Sequence, residues 1–201
     1  MSLIREITTA IRVTLVLWVL TAVIYPFFML LVAQAVPYQA NGSLILDRDG
    51  KAIGSALIGQ NFTADKYFWS RPSTTNYSSF ADNEKDAKNL GQTTGISGAS
   101  NLAPSNPALI DRIQKSIDTL KQSGNKPTAD LVYTSGSSLD PHITPEAAKA
   151  QIERVSKARS ILTAQIQSEI DRYTEGRFLN IFGEPGVNVL QLNIALDKLK
   201  A

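Results

Sequence analysis

The sequence predicts an α+β protein: one N-terminal transmembrane helix followed by a single mixed α/β extracytoplasmic domain. Three observations carry this. Residues 13–46 contain no Asp, Glu, Lys or Arg, in a chain that is 19% charged. The second half holds two helical stretches, each opened by a proline directly after a capping residue. Short apolar runs bounded by polar turn residues supply strands. The expected layout is a short cytoplasmic arm over residues 1–12, a transmembrane helix over 13–36 and a soluble domain over 37–201.

The span reads VTLVLWVLTAVIYPFFMLLVAQAV from Val13 to Val36. As a helix it is about 36 Å long at ~1.5 Å per residue, enough to cross a hydrocarbon core of ~30 Å. Its apolar residues occupy every face, so it is no surface-lying amphipathic helix. Pro26 near the middle is tolerated in a spanning helix, usually with a kink. Ala33-Gln34-Ala35 has the small-residue pattern of a signal-peptide cleavage site. The apolar region nevertheless exceeds the usual ~7–15 residues of a signal peptide, so a retained anchor is expected. Arg5 and Arg12 precede the span, and Arg12 abuts it. That places the N-terminus inside and the domain outside.

Leu44–Leu46, the Asp47-Arg48-Asp49-Gly50 turn and the Ala52–Ile58 region suggest a hairpin or small meander. Residues 61–106 are poor in apolar runs and read as a long loop, a form that usually has a role such as partner contact. Tyr67-Phe68-Trp69 interrupts it, and an aromatic cluster of this kind is expected to pin the loop to the core. Asn106 or Ser105 caps a helix begun by Pro107, with Ile113, Ile117 and Leu120 on one face and Gly124 as its stop. Ala129–Tyr133 is a strand candidate. Thr144 caps a second helix begun by Pro145 and expected to run to about Gly176. Its apolar stripe is Val155, Ala158, Leu162, Ile166, Ile170 and Tyr173, while Lys149, Arg154, Lys157 and Arg159 line solvated faces. Val187–Leu192 reads as a strand or as the start of a final helix, Leu192–Lys200.

Composition excludes several functions. The chain has 201 residues, a net charge of +2, one His and no Cys. A disulfide scaffold, a thiol nucleophile, a multi-histidine metal site and a dedicated nucleic-acid binder are all out. No P-loop, no G-x-G-x-x-G and no G-x-S-x-G elbow occurs. No catalytic or metal-ligating residue is therefore assigned. Ser97-Gly98-Ala99-Ser100 and Ser135-Gly136-Ser137-Ser138 echo each other, each preceding a Pro-started helix. Such loops can bind anions through backbone N–H groups or simply turn the chain into a helix.

The same loops carry a resemblance. Its segments are Gln39-Ala40-Asn41-Gly42-Ser43-Leu44-Ile45, Leu57-Ile58-Gly59-Gln60-x-Phe62, Tyr67-Phe68-x-x-Arg71-Pro72-Ser73 and Ser97-Gly98-Ala99-Ser100-Asn101-Leu102-x-Pro104-x-Asn106-Pro107. They continue with Ser135-Gly136-Ser137-x-Leu139-Asp140-Pro141-His142-Ile143, Gln151-x-x-Arg154-Val155 and Gly183-Glu184-Pro185-x-Val187-Asn188-Val189-Leu190-x-Leu192-Asn193. Together, in order and over essentially the whole chain, they resemble KdpC, the C-subunit family of the Kdp potassium-transporting P-type ATPase. Trp69-Ser70 stands where that family commonly has His-Gly.

The resemblance implies a non-catalytic, single-pass subunit of a high-affinity potassium uptake complex in a bacterial inner membrane. Its implied partners are a channel-like potassium-translocating subunit and a P-type ATPase subunit. The family is described as a catalytic chaperone that raises the ATP affinity of the ATPase subunit. The chain has no Asp-Lys-Thr-Gly-Thr, so aspartyl-phosphate chemistry belongs elsewhere. No tightly bound cofactor is expected, only ATP shared with the ATPase subunit. Gln151 and Arg154 match a Gln-x-x-Arg linked to nucleotide contact in the family. Three-apart neighbours on a helix also serve structural networks. Within the matching loops, Arg71, Ser97, Asn101, Asn106, Asp140 and His142 are the expected partner-contact residues. On the residues alone, two other classes stay open: an anchored extracytoplasmic serine hydrolase using Ser100 or Ser138 with His142, and a binding module.

Overall fold

The computed structural model describes residues 2–79 and 95–199. The middle of the long loop expected over 61–106, and Lys200 at the end of the final helix, lie outside the described residues. The chain divides into two compact units, residues 1–53 and 54–201.

The first unit opens with α1, Leu3–Val19, a π-helical segment, Leu20–Ile24, and α2, Tyr25–Ala33. From Leu3 to Ala33 this is one apolar helix long enough to cross a membrane, and none of its residues is buried by protein. The π-segment sits directly before Pro26, and Tyr25 N–H donates to Leu20 O, five residues back. A proline lacks the N–H that residue i−4 needs and its ring crowds that carbonyl. The wider turn is the local accommodation. A short helix, α3 (Pro37–Ala40), follows. Then β1 (Leu44–Leu46) pairs with β2 (Ala52–Ser55) as the expected hairpin. Asp47 shapes its turn, the Oδ1 accepting from Asp49 N–H (2.9 Å) and Lys51 N–H (2.8 Å), with Gly50 at φ +78°.

In the second unit, α4 (Pro107–Gln122) has the expected caps. Asn106 Oδ1 accepts from Ala108 N–H, and Gly124 adopts φ +73° past the end. Ala129–Tyr133 is not a strand. Ala129–Val132 forms a helical turn, α5, whose Leu131 and Val132 are buried against the core. The apolar pattern of so short a segment fits either form.

The single helix expected from Pro145 to Gly176 is three: α6 (Pro145–Lys149), α7 (Ile152–Arg159) and α8 (Thr163–Arg172). Thr144 caps α6 through Ala147 N–H. Ser160 ends α7 in the left-handed conformation at φ +57°, with its N–H on Ser156 O. The break turns Ile161 inward, leaving Leu162 exposed, so the stripe shifts by one residue there. Arg154, expected on a solvated face, is buried.

β3 (His142–Ile143), β4 (Thr174–Glu175) and β5 (Gly186–Asn188) form an antiparallel sheet in the order β3-β5-β4. α9 (Val189–Lys198) follows β5 at once. Both readings of Val187–Leu192 thus hold in part, the switch falling at Asn188. Its Oδ1 caps Gln191 N–H and its Nδ2 donates to Ala56 O at 2.8 Å. The core is Ile143, Ala147, Ala148, Val155, Ile166, Ile170, Val187, Val189, Leu192 and Leu196 with Phe68.

Candidate functional site: converging loops

Two groups of resemblance residues occupy two distinct networks in the second unit. The first gathers three loops. Ser73 Oγ donates to Ser138 O (2.8 Å) and accepts from Thr75 N–H and Tyr77 N–H. These bonds hold Asn76, Tyr77 and Ser78, which run consecutively at positive φ. Such a run is strained for side-chain-bearing residues and persists only where surroundings over-determine it. The buried Tyr77 hydroxyl donates to Arg71 O, and burial pushes its pKa up to about 12. Ser138 is fully buried; its Oγ accepts from Thr74 N–H at 3.0 Å and lies 2.7 Å from Thr74 Oγ1. That hydroxyl is committed and enclosed, which removes it as a nucleophile.

The two echoing Ser-Gly loops meet. Gly98 N–H and Ser97 Oγ both donate to Ser137 O, at 3.0 and 3.1 Å. Thr74 Oγ1 donates to Gly98 O at 2.9 Å, tying in the third loop. Gly59 backs the cluster, its N–H on Leu139 O at 2.7 Å. A Cβ there would fall 2.8 Å from both Asp140 O and the Tyr77 ring, so only glycine fits.

Charges close the cluster. Arg71 Nη1 lies 3.2 Å from Asp140 Oδ2 and 3.9 Å from Asp130 Oδ1. Asp130 also accepts from Thr144 N–H, joining α5 to the cap of α6. Asp140 Oδ1 accepts from His142 N–H at 2.9 Å and lies 3.7 Å from His142 Nδ1. The imidazole Nε2 is 3.3 Å from Glu175 Oε2 across the sheet, an ion-pair contact without hydrogen-bond geometry. Gly186 on β5 makes this reach possible, since a Cβ there would press on the His142 side chain at 3.2 Å. The Asp140 carboxylate is the main influence raising the His142 pKa; burial opposes it and Glu175 adds to it. For Asp140, burial favours the neutral acid, but His142 and Arg71 together outweigh it and hold its pKa below the usual value.

Of the expected partner-contact residues, the structure brings Arg71, Ser97, Asp140 and His142 into this network. Asn106 serves as the α4 cap. Asn101 is exposed, in the left-handed conformation that asparagine tolerates.

The second network holds Gln151 and Arg154. Gln151 is fully buried. Its Oε1 accepts from Trp69 N–H and Arg154 Nη2, both at 2.8 Å, and its Nε2 donates to Trp69 O and Ala147 O. Arg154 donates from Nε to Asn125 Oδ1 (3.0 Å), from Nη1 to Asp65 O (2.5 Å) and from Nη2 to Tyr67 O (2.9 Å). Its guanidinium stacks 4.4 Å from the Trp69 ring centroid. Asn193 on α9 completes the frame, its side-chain amide bonding both Phe68 N–H (2.8 Å) and Phe68 O (2.9 Å). Two buried amides thus satisfy the extended Phe68-Trp69 backbone as a neighbouring strand would. This is the aromatic pin expected from sequence, with Phe68 fully buried. Burial pulls the Arg154 pKa down to about 10, which leaves it cationic at neutral pH.

Sequence reasoning passed over Asp130, Glu175 and Asn193. Of these only Asn193 had a signal, lying inside a quoted motif. Asp130 and Glu175 join through folding alone. Among the described residues no cluster of His, Asp and Glu suits a metal ion.

Comparison with known proteins adds the family. A family model described as KdpC, K+-transporting ATPase, c chain, matches residues 7–198. The Potassium-transporting ATPase KdpC subunit 1 of Nostoc sp. is 62% identical over 202 residues, covering 100% of this chain and 99% of its own. The KdpC subunit of Microcystis aeruginosa is 59% identical, covering 99% of this chain and 98% of its own. That of Synechocystis sp. is also 59% identical, covering 97% and 99%. Among the described residues one helix is long and apolar enough to cross a membrane, as a single-pass accessory subunit requires. On the span of the family model and the likeness of these relatives, the chain belongs to the KdpC family, the c chain of the K+-transporting ATPase.

Proposed function

We propose that this chain stabilises an ATP-driven potassium uptake complex by bridging a channel-like potassium-translocating subunit and a P-type ATPase subunit. Its domain lies on the extracytoplasmic side of the membrane, with the N-terminus in the cytoplasm. It assists the ATPase subunit, raising that subunit's affinity for ATP, and turns nothing over itself.

The observation that carries this is the convergence of the Arg71, Ser97 and Ser135–His142 loops into one cross-linked surface element. A rigid polar platform of this kind suits contact with a partner. Gln151 and Arg154 support it from within, holding the Asp65–Trp69 segment beneath the platform's Arg71 loop.

Deleting the chain is expected to prevent recovery of the intact complex and to abolish potassium-stimulated ATPase activity. A complex that assembles and works fully without it refutes the proposal. Orientation is tested separately. In this Cys-free chain, Ser97→Cys is expected to react with a membrane-impermeant thiol reagent in intact cells. Protection until lysis would place the domain in the cytoplasm.

A further inference from the structure

A crevice of about 490 Å³ opens in the second unit between α4 and the 61–77 loop. That volume suits a small organic ligand. Its apolar wall is Phe62, Trp69, Tyr77, Leu120 and Leu131, of which the last three are buried in the fold. The Trp69 ring is held in place. Arg154, which does not line the crevice, stacks on it at 4.4 Å, and its Nε1 donates to Ala64 O at 3.3 Å. Tyr77 belongs to the positive-φ run that Ser73 fixes through the Tyr77 N–H. The wall is therefore preformed, which spares a ligand the cost of ordering it.

Most polar groups of the lining are already committed. Asn61 Nδ2 donates to Asn76 Oδ1 at 3.2 Å, Ser70 Oγ to Gln60 O at 3.1 Å, Ser73 Oγ to Ser138 O at 2.8 Å and Thr119 Oγ1 to Lys115 O at 2.9 Å. What remains is positive. Arg112 and Lys115 stand three apart on α4 and both line the crevice, while no Asp or Glu does. Arg112 Nε is buried and has no hydrogen-bond partner among the described residues. A buried donor left unpaired is costly and rare in a native fold, so this one calls for an acceptor.

Charge selects the ligand. A cation would be repelled by the Arg112 and Lys115 pair. A neutral apolar molecule would fill the wall and leave Arg112 Nε unsatisfied. A molecule with one anionic head and an apolar body satisfies both halves of the crevice, because a guanidinium bonds carboxylate and phosphate oxygens strongly.

We infer that this crevice binds a small amphipathic anion, its carboxylate or phosphate head on Arg112 and Lys115 and its apolar body against Trp69 and Tyr77. The site is separate from the buried Gln151–Arg154 network, and the inference does not depend on the assembly role above.

The test uses the full chain in phosphatidylcholine nanodiscs. The chain has two Trp, so Trp18→Phe leaves Trp69, on the crevice wall, as the sole tryptophan. Bromine quenches tryptophan fluorescence on contact, so 4-bromobenzoate and 4-bromophenyl phosphate are titrated against the neutral 4-bromobenzamide. Saturable Trp69 quenching is expected from at least one anion, with an affinity at least about tenfold above that of the amide, the factor a hydrogen bond to a charged group supplies. The tighter of the two anions identifies the head group. R112Q/K115Q is expected to abolish that preference at an unchanged melting temperature. Ser116→Phe, which fills the crevice and keeps both cations, is expected to abolish the quenching. Equal quenching by the amide, no saturable quenching, or an anion preference that survives R112Q/K115Q or Ser116→Phe would each overturn the inference.

Discussion

Replacing Arg154 with Met keeps an unbranched side chain in the buried slot but removes every donor of the guanidinium. The Asp65 and Tyr67 carbonyls, Asn125 Oδ1 and Gln151 Oε1 each lose a charged partner. A hydrogen bond to a charged group contributes about 1.5–3 kcal/mol, and an acceptor left buried without a donor costs about 1–3 kcal/mol. Against this, the variant no longer buries a cation, a burden of several kcal/mol. The balance is a loss of about 3–5 kcal/mol, as for breaking one side of a buried ionic network. For a chain of this size that is roughly a 6–20 °C fall in Tm. The assay is thermal unfolding of the full chain in detergent, followed by near-ultraviolet circular dichroism, which reports Trp69 packing. Addition of ATP is expected to leave the wild-type midpoint where it was, because Nε, Nη1 and Nη2 of the guanidinium are already bonded to Asn125, Asp65, Tyr67 and Gln151. A Tm within about 2 °C of wild type, together with ATP stabilisation that only the wild type shows, would refute the reasoning and return Gln151 and Arg154 to nucleotide contact.

The Asp140–His142 pair gives a pH dependence. His142, with its pKa raised, stabilises below its ordinary 6.5 and loses that contribution as pH climbs through the folded-state value. Asp140, with its pKa lowered, stabilises above its ordinary 3.8 and loses it as pH falls through the folded-state value. His142→Gln is therefore expected to lower stability most between those limits, by under about 1 kcal/mol because the pair is partly exposed; a Tm difference independent of pH would contradict this. Gly59→Ala drives a Cβ to 2.8 Å from Asp140 O and is expected to cost about 1–3 kcal/mol in denaturant unfolding; a neutral result would mean the Leu139–Asp140 backbone yields freely. Asn188→Ala removes both the α9 cap and the bond to Ala56 O, an expected loss of about 2 kcal/mol; less than half of that would show that water replaces the amide.

Much of this was legible along the chain because the signals are local. An uncharged apolar run declares a span whatever surrounds it. Asn106-Pro107 and Thr144-Pro145 declare helix starts, because a cap needs only its own N–H neighbours. The break at Ser160 was not legible. No Gly or Pro stands there, and the apolar spacing continues past it, so only the inward turn of Ile161 reveals the new helix. Arg154 shows the same limit: its charge pattern suits a wet helix face, and its burial depends on carbonyls some ninety residues away in sequence.

By itself the sequence determined a span, two capped helices, the absence of thiol and multi-histidine chemistry, and a set of loops in one family's order. Tertiary structure decided where those loops meet. It joined the two Ser-Gly loops at Ser137 O, set Arg71 between Asp130 and Asp140, and enclosed Ser138. It also spent Gln151 and Asn193 on the backbone of Phe68-Trp69 and left Phe178–Phe182 in water. The physical reason is one of range. Caps, turns and apolar length act within a few residues, whereas a buried amide or guanidinium takes its meaning from whichever distant carbonyl the fold brings within 3 Å.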